Sequence, residues 1–189
     1  MNHLQIYPSD NKKINQKIID CLLPFMYFKK VKRKETLLKA GEVCDHIFLI
    51  KKGAIKQFYV SEGKEFIQHF YFEGQMASKF NSFLTQDIST AYLEAIEGTE
   101  LWVLNYHNFK ALSEVDPHLN GQMSILMSDM HLKRVNLLLM SDGQMRYEKF
   151  LEQEPEMINR VPHYMIASYL GMTPETLSRI RRKIMQSVA

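Results

Sequence analysis

Residues 161–183 read Val-Pro-His-Tyr-Met-Ile-Ala-Ser-Tyr-Leu-Gly-Met-Thr-Pro-Glu-Thr-Leu-Ser-Arg-Ile-Arg-Arg-Lys, and they constrain the chain more than any other stretch. Met165, Ile166 and Leu170 stripe one short helix, and Leu177, Ile180 and Ile184 stripe a second at spacings of three and four. Gly171 marks a tight turn between them, and the small residues Ala167 and Gly171 stand where two steeply crossing helices must come close. Thr173 can cap the second helix, and Pro174 occupies its first position, where a missing N–H costs nothing. The face left exposed carries Glu175, Thr176, Ser178, Arg179, Arg182 and Lys183. This is the helix-turn-helix layout, whose second helix enters the DNA major groove leading with its N-terminal residues. A helical hairpin with a solvated basic face has the same periodicity. Small residues, turn, cap and polar face all agree in register here, and that agreement favours double-stranded DNA as partner.

Charge supports this placement. The net charge is only +3, yet residues 160–189 hold Arg160, Arg179, Arg181, Arg182 and Lys183 against Glu175 alone. The basic excess sits in the C-terminal module, as contact with phosphates requires. A chain of 189 residues can bury a core and hold one large or two small domains. No apolar run approaches the ~20 residues that span a membrane, and Met-Asn-His-Leu-Gln at the start lacks a signal-peptide pattern. Cys21 and Cys44 are too few for a disulfide framework or a four-thiolate cluster. These features predict a cytoplasmic protein with no membrane partner.

Taken in order, residues 11–23 read as a helix with Ile14, Ile18, Ile19 and Leu22 on one face, closed by Pro24. Lys29 to Lys34 holds five basic residues, expected on an exposed strand whose lysines guard its edge. From residue 35 to about 105, six strands are predicted at 36–39, 46–51, 54–60, 65–72, 90–96 and 101–104, separated by glycine-containing turns. That spacing predicts an antiparallel barrel or jelly roll whose dense aromatics fill the core. A short helix follows at 105–112, and Pro117 opens a long one. On it Leu119, Met123, Leu126, Met130, Lys133, Leu137 and Met140 recur at alternating steps of four and three, a heptad seam suited to a two-helix interface. Packing on the chain's own barrel would use the same stripe. A homodimer is expected because a helix-turn-helix reads two half-sites about one DNA turn apart. Ser141-Asp-Gly-Gln breaks the helix, and residues 144–153 give another with Tyr147, Phe150 and Leu151 inward. The expected fold class is α+β. It comprises a jelly-roll domain over 1–116, a dimerisation helix over 117–140 and an all-α helix-turn-helix domain over 141–189.

Two motifs carry a family resemblance. Gly41-Glu-Val-Cys-Asp-His-Ile-Phe-Leu-Ile-Lys-Lys-Gly53 and Ile166-Ala-Ser-Tyr-Leu-Gly-Met-Thr-Pro-Glu-Thr-Leu-Ser-Arg179, in this order around a β-rich domain and a long helix, resemble the Crp/Fnr family of bacterial transcription regulators. The resemblance covers nearly the whole chain. It implies a cyclic-nucleotide-type jelly roll, a DNA-binding output and RNA polymerase as a partner. It places base reading at Glu175, Ser178 and Arg179, where a guanidinium can donate to guanine and a carboxylate can accept from cytosine. Pro174 departs from the family, which often has Arg there. Relatives also flank the helix-turn-helix with strands; six residues, Ile184 to Ala189, follow the second helix here, so a reduced or missing wing is expected.

The resemblance also places an effector pocket at Gly74, Gln75, Met76, Ala77, Ser78, Ser89 and Thr90. Nucleotide-binding relatives carry a Glu for the ribose and an Arg for the cyclic phosphate; Gln75 and Ser89 stand at those positions. Without the cation a buried phosphate loses its strongest charge-assisted partner, so no cyclic nucleotide cofactor is expected, although Lys79 is near enough in sequence to substitute. The histidines show no metal-ligand spacing, and no catalytic triad or Gly-rich phosphate loop is present, so neither a metal nor an enzyme activity is expected. The alternative is a ligand-binding regulatory module, for a cyclic nucleotide or another small molecule, whose C-terminal helices contact protein rather than DNA.

Overall fold

The computed structural model describes residues 16–155 and 157–188. The expected helix start at residue 11, with Ile14, lies outside them. Helix α1, Gln16–Leu22, buries Ile18, Ile19 and Leu22, and a 3-10 turn through Pro24 ends it. Eight strands follow: β1 Tyr27–Val31, β2 Thr36–Leu38, β3 His46–Lys52, β4 Ile55–Ser61, β5 Lys64–Tyr71, β6 Met76–Ala77, β7 Tyr92–Ala95 and β8 Thr99–Asn105. They form two antiparallel four-stranded sheets, ordered β1-β8-β3-β6 and β2-β7-β4-β5. Sequence neighbours fall in different sheets almost throughout, which is the jelly-roll connection. One short helix, α2 at Phe80–Thr85, interrupts the strands.

The lysine-rich run proves to be a strand at the edge of its sheet. Phe28 pairs with Trp102 and Lys30 with Glu100, placing both lysine and aromatic on the outer face. Lys30 and Lys51 straddle Glu100 at 2.9 and 3.3 Å, and their hydrogen bonds hold its carboxyl below the usual range. Ile47, Leu49, Ile55, Ile67, Leu93, Leu101, Val103 and Leu104 are essentially inaccessible. The β4–β5 hairpin turns through Glu62 and Gly63, both at positive φ, as a tight two-residue connection demands.

Helices α3, Tyr106–Val115, and α4, His118–Leu139, come next, then α5 Gly143–Gln153, α6 Met157–Arg160, α7 His163–Tyr169 and α8 Pro174–Val188. Asn105 caps α3 by accepting the Asn108 N–H at 2.8 Å, and Asp142 caps α5 by accepting that of Gln144 at 2.7 Å. The chain divides into two compact units, residues 1–60 with 68–126, and residues 61–67 with 127–189. The second unit thus gathers the hairpin tip with the C-terminal helices. In it the Ile67 N–H donates to Ser168 Oγ at 3.0 Å, and Tyr147, Phe150, Met157, Val161, Ile166, Leu170 and Leu177 form its core.

Leu119, Met123 and Leu137, expected at a two-helix interface, are buried within the chain itself, while Ile125, Leu132, Val135 and Leu139 stand exposed on the same helix. The side chains of Leu126 and Met130 lie outside the described ones. The exposed residues lie one or two positions before the expected ones, so they occupy a different face of a helix of 3.6 residues per turn.

Candidate nucleic-acid interface and effector pocket

Helix α7 ends in a Schellman closure. Gly171, with φ 65°, donates to the Ser168 carbonyl at 3.1 Å, and Met172 donates to that of Ala167 at 3.0 Å. A Cβ on Gly171 would meet Leu138 Cδ2 at 3.2 Å, so the turn needs glycine for both backbone and space. Ala167 is fully buried at the crossing. One residue on, Thr173 Oγ1 accepts the Thr176 N–H at 3.2 Å and caps α8, with Pro174 at its first position. Leu177 is buried, which turns the opposite face of the helix outward.

Pro174, Glu175, Ser178, Arg179, Arg182 and Lys183 are exposed, as is Thr173, and Thr176 is half-buried. The eight residues expected to meet DNA therefore share the cap and outer face of one helix. Glu175 lies in the first turn of α8, and its own backbone N–H, followed by the Thr173 hydroxyl, holds its carboxyl below the usual carboxylate range. An anion at a helix N-terminus is favoured by the free N–H groups there. Behind this face, Phe150 and Tyr169 pack at 6.0 Å between ring centroids, and Arg134 lies over the Tyr169 ring at 5.0 Å.

The expected effector pocket is arranged differently. Gln75 is buried and its Oε1 accepts the Phe72 N–H at 3.0 Å. Ser89 is buried too, donating to the Ala91 carbonyl at 2.8 Å and accepting the Ala91 N–H at 3.0 Å. Ser78 donates to the His46 carbonyl at 3.1 Å. Gly74 takes φ 76° and donates to the Ile50 carbonyl at 2.8 Å, while Met76 and Ala77 form β6. Thr90 is exposed and Lys79 half-buried ahead of α2. The Gln75 and Ser89 side chains thus close turns of their own backbone, and Ser78 ties its segment to His46. Sequence reasoning missed a buried chain deeper in this domain: Tyr71 Oη donates to Gln57 Oε1, and Gln57 Nε2 donates to Gln68 Oε1, each at 2.8 Å. Lys56, also buried, pairs with Glu94 at 3.2 Å and lies 4.1 Å from the Phe58 ring centroid. Alternating strand positions gave no hint of polar residues there. Among the described residues no group of three histidines, cysteines or carboxylates could hold a metal ion, and no helix is long and apolar enough to cross a membrane.

The cyclic nucleotide-binding domain family model matches residues 28–116, the two-sheet domain. The fumarate and nitrate reduction regulatory protein of Vibrio cholerae is 25% identical, over 92% of this chain and 75% of that protein. The cAMP-activated global transcriptional regulator CRP of Pasteurella multocida is 22% identical, over 88% and 86%. Along most of its length the chain is similar to regulators of the Crp/Fnr type. A CooA mutant from Carboxydothermus hydrogenoformans shares its fold, with a TM-score of 0.68 at 20% identity, over 97% of this chain and 88% of that one. The Vibrio cholerae and Pasteurella multocida relatives are both named as regulators.

Proposed function

We propose that this chain is a Crp/Fnr-type transcription regulator that binds a palindromic DNA site as a homodimer, and that its sensor domain works without a cyclic nucleotide. The observation that carries the DNA reading is the capped helix α8, which presents Glu175, Ser178, Arg179, Arg182 and Lys183 on one outer face over a buried Leu177. Arg179 can donate two bonds to guanine O6 and N7, and Glu175 can accept from cytosine N4. Arg182 and Lys183 take backbone phosphates. RNA polymerase is the partner such a regulator addresses.

The dimer reading is supported by Ile125, Leu132, Val135 and Leu139, which are exposed at heptad steps of seven, three and four along α4. Two copies joined along this seam would present two α8 helices to half-sites one helical turn apart. Leu119, Met123 and Leu137 would then support the seam from the buried side. The nucleotide-free sensor reading is supported by Gln75 and Ser89, whose side chains are committed to their own turns.

The test is a mobility shift on palindromic DNA at two salt concentrations, with and without cAMP. Specific binding that weakens with salt and ignores cAMP is expected. No preference over random duplex, or binding only with cAMP, would overturn the corresponding half of the proposal.

A further inference from the structure

Arg134 of α4 reaches the C-terminal end of α7. Its Nη2 donates to the Tyr169 carbonyl at 3.3 Å, and its guanidinium lies 5.0 Å from the centroid of the Tyr169 ring. Phe150 of α5 packs on the same ring at 6.0 Å between centroids. One turn further along α4, Leu138 comes so close to Gly171 that a Cβ there would meet its Cδ2 at 3.2 Å. We propose that Arg134 is a positioning residue for DNA reading: it holds the α7–α8 pair to α4 and thereby sets the half-site spacing that a dimer accepts.

The inference rests on the dimeric DNA-binding reading and deepens it. The last carbonyls of a helix lack partners within it. Leu170 takes that of Ile166, and the closure at Gly171 takes those of Ala167 and Ser168. The Tyr169 carbonyl receives Arg134. A cation is favoured there, because the C-terminal end of a helix is the negative end of its dipole. Arginine suits the place better than lysine. Its planar fork can lie against an aromatic face and still donate from its edge, whereas an ammonium is a point charge.

Arg134 and Leu138 stand four residues apart, on one face of α4. Leu132, Val135 and Leu139 are exposed along the same turns. The helix thus has one face for the end of α7 and another open to a second copy. Within each copy the Gly171 closure fixes α8 to α7, and Arg134 fixes that pair to α4. The two ties have separate consequences. The first sets how well one half-site is read, and the second sets how far apart two half-sites must be. When both α8 helices are held to a stiff pair of α4 helices, the second half-site is bound intramolecularly, at an effective concentration that is high at one spacing and low at others. Loosening Arg134 flattens that dependence and leaves the reading face intact.

The experiment measures affinity for single half-site duplexes, for random duplex and for palindromes whose spacer is changed by up to two base pairs. It uses the full chain and the variants Arg134→Gln, Arg134→Lys, Tyr169→Phe and Arg179→Ala, with urea denaturation of each. Wild-type protein is expected to prefer one spacing over a two-base-pair change by about a hundredfold. Both Arg134 variants should stay folded, bind a single half-site as the wild type does, and keep a spacing preference of only about tenfold. Tyr169→Phe retains both the carbonyl and the ring and should match the wild type. Arg179→Ala should show the opposite pattern, with half-site preference relaxed and spacing preference kept. Unchanged spacing preference in both Arg134 variants, loss of half-site and spacing preference together, or unfolding of both variants would overturn the proposal while leaving the DNA reading intact. A wild type that prefers neither palindrome nor half-site over random duplex would overturn both.

Discussion

Gln75 Oε1 accepts the backbone N–H of Phe72 at 3.0 Å, three residues back in its own turn. The amide that stands where relatives would meet a ribose is thus a structural brace. Replacing Gln75 with Ala leaves a buried N–H without its acceptor, which costs about 1–3 kcal/mol. Urea denaturation should register that loss in full, and titration with cAMP or cGMP should release no binding heat from either protein.

Arg179 and Lys183 differ in what they should read. Arg179→Ala is expected to cost about 1–3 kcal/mol per half-site and to relax preference at one base pair. Lys183→Ala should weaken every duplex by a similar factor and reduce the salt slope by about one. Affinity selection from a randomised duplex pool separates the two; an unchanged preference in Arg179→Ala would remove that residue from base reading.

The seam on α4 makes a paired prediction. Leu132→Asp should yield a folded monomer by sedimentation, because Leu132 is 59% exposed in the single chain. Met123→Asp should unfold the chain instead, since Met123 is fully buried and an unpaired carboxylate there has no partner. The reverse pattern would return the interface to the Leu119–Met123 side.

Burial pushes the Tyr169 phenol up to about 12, with Glu154 adding to the effect and Arg134 opposing it. The folded chain therefore holds this proton more tightly than the unfolded chain, whose tyrosine ionises near 10.0. Stability from this group is complete below pH 10 and drains away as pH rises towards 12, by about 2–3 kcal/mol. Denaturation midpoints followed by circular dichroism should drop over that window, and Tyr169→Phe should flatten the drop.

The parts of this chain that sequence displayed were those with local chemical punctuation. Thr173-Pro174 and Gly171 announce a cap and a closure that depend on neighbours within a few residues, and both occur at those positions. The six expected strands all form, because each alternates or is bounded by glycine turns. What escaped depends on distant partners. Strand β6 is two residues long and exists only through pairing with Phe48 and Leu49. Helix α2 lacks a side-chain cap and hides Phe80 and Phe83 in a stretch with no complete period. Helix α4 has apolar residues on two adjoining faces, so periodicity alone did not determine which of them is buried. At the candidate site the reading face was legible from the sequence; the buried Tyr71–Gln57–Gln68 chain of the sensor domain was not, because Gln57 meets its partners from a neighbouring strand.

The closure at Gly171 has a consequence for how such a regulator can change. Substitutions at Glu175, Ser178 or Arg179 alter exposed groups and leave the backbone untouched, so new operator preferences lie one codon away. At 171 any side chain must both hold a left-handed backbone and displace Leu138. Mutational drift is thereby channelled. The vocabulary of the helix is free to diversify, while the angle at which it is offered is held by a single missing methyl group.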